Sequence, residues 1–163
     1  MLRAAIVALG LLFSGCAVMF ISPYDEQTDN DANALVRDTE VFLSNYALLH
    51  DAGTSVIQKG KPYDSGAAKF YNDARGAIKA MLVRSEQKAR NDEEIGILRQ
   101  LVQQYNLLEA SHKLGTISDV SASGLRRSLR ALIHVQLAKK HLEAASPKSA
   151  EFSLKIPYRP AFA

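Results

Sequence analysis

Cys16 is the single cysteine of this 163-residue chain, and its position indicates a definite covalent chemistry. It follows a short apolar run that begins after Arg3, the only charge of the segment. Ser14 and Gly15 lie between the run and the cysteine and supply the small residues that a signal peptidase needs before its cut. The sequence therefore predicts a secretory signal over residues 1–15, cleaved between Gly15 and Cys16.

The four residues Phe13-Ser14-Gly15-Cys16 resemble the lipobox of bacterial lipoproteins. In that family the cysteine is thioether-linked to diacylglycerol, and a further acyl chain is often added to the amino group that cleavage frees. Phe13 departs from the family pattern, which usually has leucine there. The resemblance implies a lipid-anchored protein of the bacterial cell envelope. Ala17, rather than an aspartate, follows the cysteine, which implies an outer membrane location facing the periplasm.

An uncleaved signal anchor is the alternative for this segment. Residues 4–21 carry no charge, and a run of this length is barely long enough to span a bilayer. An anchor does not need small residues just before a cysteine, so the cleaved lipoprotein is the preferred interpretation. Both alternatives place the chain after Pro23 on the far side of the inner membrane.

Two further stretches, residues 20–29 and 129–140, are similar to segments of small uncharacterised helical lipoproteins of the bacterial envelope. This resemblance implies an all-helical fold and no known activity.

Glu109 and His112 have the Glu-x-x-His spacing of di-iron carboxylate bundles, in which both side chains project from one face of a helix. Those sites need two such motifs and two more glutamates, and this chain has no second motif. We therefore predict no metal site and interpret His112 as a helix-end residue. His134 and Met81 could serve as axial haem ligands, but a surface histidine and a core methionine explain them more simply. The sequence predicts no cofactor.

Motifs of catalysis are also missing from the sequence. It has no Gly-x-Ser-x-Gly, no His-Glu-x-x-His and no phosphate-binding glycine loop, and the sole thiol is predicted to be acylated. The net charge of +3 and the absence of tryptophan argue against a nucleic-acid partner. We predict that the protein is not an enzyme.

Apolar residues recur at spacings of three and four in four segments, which indicates four amphipathic helices. The first is predicted to have Thr28 or Asp29 as its N-cap, to bury Leu49 among its inner residues, and to stop at Gly53. The second is predicted over residues 66–90 and capped by Asp64 or Ser65.

Asn91 is predicted to cap the third helix, with Glu94 reaching back to it as in a capping box. One continuous helix through Asn91 is the alternative. The third helix is predicted to end at Gly115. The fourth opens at Ser118 or Asp119 and ends before Pro147.

These elements predict an all-α, up-down-up-down four-helix bundle over residues 28–146. A lipidated stem, residues 16–27, precedes it, and an irregular, extended and mobile tail, residues 147–163, follows it. The stem spans at most about 36–40 Å from Ala17 to Gln27, so the bundle is predicted to stay close to its membrane.

Charge is distributed unevenly between the outer helices of the predicted bundle. Residues 24–51 hold seven acids and one base, whereas residues 113–148 hold seven bases and two acids. Helices one and four are neighbours in such a bundle, so opposite charge favours their pairing. Five bases could also contact anionic lipid or an acidic partner, although a solvated helix face opposite helix one is the simpler explanation. They are Arg126, Arg127, Arg130, Lys139 and Lys140.

The sequence thus predicts a membrane-tethered, non-enzymatic helical bundle that binds another envelope protein. The alternative is a metal- or haem-carrying bundle. A third possibility is the subunit of an enzyme whose partner supplies the chemistry.

Overall fold

Four long helices make up most of the protein. The computed structural model describes residues 22–47, 49–50, 57–58, 60–115 and 117–145. The helices are α1 Glu26–Tyr46, α2 Ser65–Glu86, α3 Asp92–Leu114 and α4 Asp119–Ala145. Between α1 and α2 the two-residue strands β1 Leu49–His50 and β2 Ile57–Gln58 pair antiparallel, with Leu49 opposite Gln58.

The helices form a closed ring in which each one packs against two neighbours: α1 on α2, α2 on α3, α3 on α4, and α4 on α1. Contacts between opposite helix ends show that every neighbouring pair is antiparallel. Arg84 near the end of α2 reaches Asp31 near the start of α1, and Glu40 of α1 pairs with Arg126 of α4. The predicted all-α up-down-up-down four-helix bundle is confirmed.

The core is a continuous apolar cluster between the four helices, and its largest members are completely buried. In α3 the inner residues follow the spacing expected of a bundle helix. They are Leu98, Leu101, Tyr105 and Leu108. A buried hydroxyl pair, Thr39 Oγ1 and Tyr105 Oη at 2.5 Å, joins the diagonal helices α1 and α3 across this core.

The start of α1 lies three or four residues earlier than predicted. Asp25 is the N-cap, and its carboxylate accepts hydrogen bonds from the backbone N–H of Gln27 at 3.1 Å and of Thr28 at 3.4 Å. Thr28 and Asp29, the predicted caps, are instead buried in the first turn. Asp25, Glu26 and Gln27 of the predicted stem therefore belong to α1 and its cap.

The end of α1 also comes earlier than predicted. The helix stops at Tyr46, and Ala47 turns to extended backbone and forms a parallel bridge with Ile117. Leu49, predicted as an inner helical residue, lies in β1. Gly60 passes so close to the α1 terminus that a Cβ there would collide with the Tyr46 carbonyl oxygen. Gly53 lies outside the described residues.

Among the remaining helix ends, the end of α2 also differs from the prediction, because the helix stops at Glu86 rather than at Arg90, and the others agree closely with the sequence. Asp64 caps α2 by accepting from the Ala67 N–H at 2.8 Å, and Ser118 accepts from the Ser121 N–H at 3.2 Å at the start of α4. The break between α2 and α3 is present and includes Arg90 in the left-handed region, at φ 59°. Gly115 ends α3. Pro147, the tail and residues 1–21 lie outside the described residues.

Candidate functional site

A buried polar cluster lies at the end of the bundle where α1 begins, α2 ends, α3 begins and α4 ends. It joins Ser22, the first described residue of the stem, to three helices. All its members are buried, with at most 3% exposure. They are Ser22, Ser85, Asn91, Glu94, Gln136 and Lys139.

Glu94 and Lys139 form the centre of this cluster. The Lys139 ammonium lies 2.5 Å from Glu94 Oε2, and it also donates to Asn91 Oδ1. Gln136 Nε2 donates to the same Glu94 oxygen at 2.6 Å, while the Ser85 hydroxyl donates to the other. A buried charge pair persists only when its remaining donors and acceptors are also satisfied, which these contacts achieve.

Asn91 connects the ion pair to the stem. Ser22 Oγ donates to Asn91 Oδ1 at 2.7 Å, and Asn91 Nδ2 donates to the Ser85 carbonyl at 3.1 Å. Sixty-nine residues separate Ser22 from Asn91, so this contact is tertiary. The stem therefore enters the bundle at a fixed point.

The electrostatics of Glu94 follow from its neighbours. Burial alone would raise the pKa of the Glu94 carboxyl, but the Lys139 ammonium and the bonds from Ser85 and Gln136 outweigh it and lower the pKa. Gln136 Oε1 is buried with no hydrogen-bond partner among the described residues. Turning the amide round would bring that oxygen against the Glu94 carboxylate, so the observed orientation is the better one.

Two sequence predictions are corrected at this cluster. Asn91 stands at the N-cap position of α3 but makes no side-chain capping bond. Glu94 does reach back to Asn91, but it accepts from the side-chain Nδ2 at 3.3 Å rather than from the backbone N–H of a capping box, and its other oxygen binds Lys139. Lys139 was predicted on a basic surface, whereas it is 3% exposed. The sequence does contain a pattern that indicates burial of Lys139, because Leu125, Leu132 and Lys139 follow each other at intervals of seven on the inner side of α4.

A surface cleft of about 410 Å³ opens beside the ion pair. It is lined by the turn before α3, by the first turn of α3, and by Val135 and Lys139 of α4. Its lining carries both signs of charge, with three acidic residues, Asp92, Glu93 and Glu94, and two basic residues, Arg90 and Lys139.

The other predicted basic residues lie on the surface of α4. Arg126 donates to the carboxylate of Glu40 on α1 from two nitrogens, each at 2.8 Å. This contact agrees with the pairing of helices one and four that the charge asymmetry predicts. Lys140 lies 4.0 Å from Asp29 and over the Tyr24 ring. Arg127 and Arg130 are exposed and form no ion pair within 4 Å with a described carboxylate. The five bases therefore do not share one surface.

Glu109 and His112 are one turn apart but point to different partners. Glu109 accepts from Tyr63 Oη at 2.7 Å and from Lys113 at 2.9 Å, and it also pairs with Arg75. Burial alone would raise the pKa of Glu109, but these bonds outweigh it and lower the pKa to about 2.

His112 is buried at the opposite end of the bundle from the polar cluster. Its Nε2 lies 3.0 Å from the Lys61 carbonyl oxygen and its Nδ1 lies 3.3 Å from Tyr71 Oη. It contacts a loop rather than the carbonyls of its own helix. Phe42, Tyr46 and Tyr63 meet the ring at their edges.

The two residues considered as haem ligands differ in burial. His134 is exposed on α4, whereas Met81 is completely buried in α2. No group of three or more histidine, cysteine, aspartate or glutamate side chains suited to a metal ion occurs in the described ranges.

Gly15 and Cys16, the predicted cleavage and lipidation residues, lie outside the described residues. Among the helices that the structure describes, none is long and apolar enough to cross a membrane.

Comparisons of this chain with protein-family models, with curated proteins and with solved structures give no match. The polar cluster can hold three helix ends and the stem together, because nearly all its polar atoms are engaged with one another.

Proposed function

We propose that this chain is a lipid-anchored protein of the bacterial envelope, tethered to the outer membrane through Cys16 and facing the periplasm. Its helical bundle serves as a non-enzymatic binding module for another envelope protein. The lipobox resemblance at Phe13–Cys16 supports the anchor, and the exposed apolar side chains of α3 and α4 support the binding role.

The attachment of Ser22 is the observation that carries this proposal. Ser22 is buried and bonded to Asn91, so the bundle begins there rather than at the predicted residue 28. Only six peptide steps separate Cys16 from Ser22, which limits their separation to about 20 Å. An acyl anchor at Cys16 would therefore keep this end of the bundle close to the membrane, so the partner must be met near the surface.

Lipid attachment is tested by replacing the cysteine. Cells expressing the protein are labelled with a radioactive fatty acid, and membrane and soluble fractions are compared for wild type, Cys16→Ser and Ser14→Ala. We expect wild type and Ser14→Ala to carry label and to sediment with the membrane, because a small residue is kept before the cut. Cys16→Ser should lose both. Firm membrane binding of a cleaved Cys16→Ser protein would contradict the anchor.

The binding role is tested by crosslinking in intact cells, followed by isolation of the lipidated protein. A reproducible adduct with one envelope protein is expected. Absorption spectra and metal analysis of the same preparation test the alternative, since a Soret band or stoichiometric iron retained on dialysis would favour a cofactor carrier instead.

A further inference from the structure

A groove of about 460 Å³ lies along the seam between α1 and α2. Most of its uncharged lining residues are small, which leaves the seam open above Leu35 and Ala74, each 4% exposed. Phe70, half-buried in the lining, stacks on Phe42 with 3.8 Å between the ring centroids. The uncharged lining residues are Ala34, Leu35, Gly66, Phe70, Ala74 and Ala77. The groove therefore offers an apolar surface, and its volume is typical of ligand-binding clefts.

Acidic side chains border this apolar surface. Asp31, Asp38 and Asp73 line the groove together with one base, Lys69. Asp38 pairs with Arg37 and Asp73 pairs with Lys69, and all four of these side chains are 59% exposed or more. Exposed pairs of this kind contribute little, so both carboxylates can accept another cation. The groove thus fits an occupant that is both apolar and basic.

The segment after α4, residues 146–163, has the complementary charge. It carries three bases, Lys148, Lys155 and Arg159, and one acid, Glu151. Its net charge is therefore opposite in sign to that of the groove.

The same segment has an apolar side in an extended conformation. Between residues 152 and 159 every second residue is apolar, and successive side chains of an extended chain point to opposite sides. Pro157 and Pro160 disfavour a helix there. The alternating apolar residues are Phe152, Leu154, Ile156 and Tyr158.

No other segment outside the described residues combines these properties. Residues 51–56 contain no base, and residues 16–21 are uncharged. Residues 1–15 are predicted to be removed with the signal peptide.

The segment can reach the groove from the end of α4. Lys140 of α4 lies 4.0 Å from Asp29 of α1, so α4 ends beside the start of α1. Seven peptide steps separate Ala145 from Phe152, and they span up to about 23–25 Å. The chain has to cross α1 to reach the seam, and a helix is only about 10–12 Å wide.

This entry point sets the direction of the segment. It enters beside Asp31 and continues along α1 towards Asp38, which brings Lys155 near the first carboxylate and Arg159 near the second. Asp31 and Asp38 are about 10 Å apart along the helix, and Lys155 and Arg159 are about 13 Å apart in an extended chain. The long basic side chains can take up the difference while their stems lie on apolar surface.

The cleft beside Glu94 and Lys139 fits the segment less well, although it lies nearer to the end of α4. Val135 is the one apolar residue among those that line it. Two bases of its lining, Arg90 and Lys139, would repel the bases of the segment.

A second copy of the chain could place its own segment in the groove. A segment joined to its own groove by a short linker is present at an effective concentration on the order of millimolar. The contact within one chain therefore prevails at lower protein concentrations.

We infer that residues 152–159 dock as an extended segment in the α1–α2 groove of their own chain, with their apolar side chains on Leu35 and Phe70 and with Arg159 beside Asp38. This inference goes beyond the proposed function and depends neither on the anchor at Cys16 nor on an envelope partner. It also replaces the mobility that the sequence predicts for the tail.

Photo-crosslinking in the purified full chain in detergent tests the contact. A photo-crosslinking residue replaces Ala77, which lines the groove, in one sample and Ala80, an exposed residue three positions further along α2, in another. We expect mass spectrometry to find crosslinks from position 77 to residues 152–159 and none from position 80. Crosslinks to this segment from neither position, or equally from both, would overturn the inference.

An equal mixture of isotopically light and heavy protein identifies the copy that supplies the segment. We expect each crosslink from position 77 to join residues of the same isotopic composition. Crosslinks between light and heavy copies at micromolar protein would assign the groove to a second copy and overturn the inference.

Charge reversal provides a second test, read out as chymotrypsin cleavage after Phe152. Asp38→Lys should accelerate the cleavage by about fivefold, because a repulsion of Arg159 replaces an attraction. Adding Arg159→Glu to Asp38→Lys should restore the slow cleavage. Glu93→Lys is the matched control, since Glu93 is an exposed acid that lines the other cleft, and it should leave the rate unchanged.

Circular dichroism checks that the helices persist in each variant, as expected because Asp38 and Glu93 are both exposed. An unchanged rate in Asp38→Lys, or a double variant that is cleaved as fast as Asp38→Lys, would contradict docking in the α1–α2 groove. Faster cleavage in Glu93→Lys would place the segment in the other cleft and would also contradict it.

Discussion

The ammonium of Lys139 lies 2.5 Å from the carboxylate of Glu94, and the two side chains are only 2% and 1% exposed. The pair links the first turn of α3 to the last third of α4. Removing a charge from water is costly, so a pair this deep fixes the relative position of the two helices strictly. Either partner without the other is a buried, uncompensated charge.

Lys139→Met should therefore destabilise the bundle strongly. It leaves the Glu94 carboxylate without its counter-ion, and breaking buried pairs in this way costs about 3–5 kcal/mol. The free energy of unfolding, measured by urea titration at neutral pH, reports the loss. Arg126→Met is the matched control, because its pair with Glu40 is partly exposed and should cost no more than about 1 kcal/mol. Equal losses in the two variants would contradict the structural role of Lys139.

Stability should fall as the pH drops from about 4.5 to about 2. Burial alone would raise the pKa of Glu109 and of Asp25, but the bonds of Lys113 and Lys88 respectively, among others, outweigh it and lower each pKa to about 2. A carboxyl with a depressed pKa in the folded state contributes stability that is present above its unfolded pKa and is lost as the pH falls through the folded value.

The effect is measured as the free energy of unfolding against pH. Each such carboxyl adds at most about 1.4 kcal/mol per pH unit to the slope. Glu109→Gln should lower the slope of the free energy of unfolding against pH. Part of the slope should remain, because Asp25 titrates in the same pH range. Glu143→Gln, at an exposed position, is the control. A slope that Glu109→Gln leaves unchanged would contradict the assignment.

Glycines within α2 and α3 offer simple gains in stability. A Cβ at Gly76 or Gly96 would meet nothing within 4 Å, so alanine fits both positions. Alanine favours a helix interior over glycine by about 0.5–1 kcal/mol, and Gly76→Ala and Gly96→Ala should each stabilise the fold by about that amount. Thermal unfolding checks this prediction. Gly60→Ala is the contrasting variant and should destabilise, because its Cβ would collide with the Tyr46 carbonyl.

Ser22→Ala should loosen the junction between stem and bundle. It removes the 2.7 Å bond to Asn91, which is worth about 1 kcal/mol. Local opening should become about fivefold more frequent, and limited proteolysis after Tyr24 should accelerate correspondingly. Ser123→Ala, an exposed serine on α4, is expected to be cleaved at the wild-type rate. Equal rates in both variants would show that Ser22 does not hold the stem.

The helices were predictable because their inner residues recur with a helical period. Asp64, Ser118 and Gly115 also mark helix ends by local chemistry alone, and the structure agrees. The end of α1 was not predictable in this way. Tyr46 is followed by Ala47, which bridges to Ile117, seventy residues away in the chain. The helical spacing that includes Leu49 cannot reveal the bridge between Ala47 and Ile117.

The polar cluster shows the same limit for a functional site. Asn91 and Glu94 have capping-box spacing, and local propensity favours that use. Lys139, on the inner side of α4, supplies a stronger interaction with Glu94, and it comes near Glu94 only when the bundle is assembled. The Glu109–His112 spacing likewise says nothing about Arg75 and Tyr63, which engage the Glu109 carboxylate.

The tyrosines of the bundle also provide an intrinsic absorbance probe of its unfolding. The chain has no tryptophan, so its near-ultraviolet signal comes from tyrosine and phenylalanine. Burial raises the pKa of Tyr71 and Tyr105, and a hydrogen bond to Asp29 is the main cause that raises the pKa of Tyr24 to about 12. Phenolate absorbance in an alkaline titration should therefore rise late and abruptly. The rise in phenolate absorbance then reports the separation of the helices without an added label.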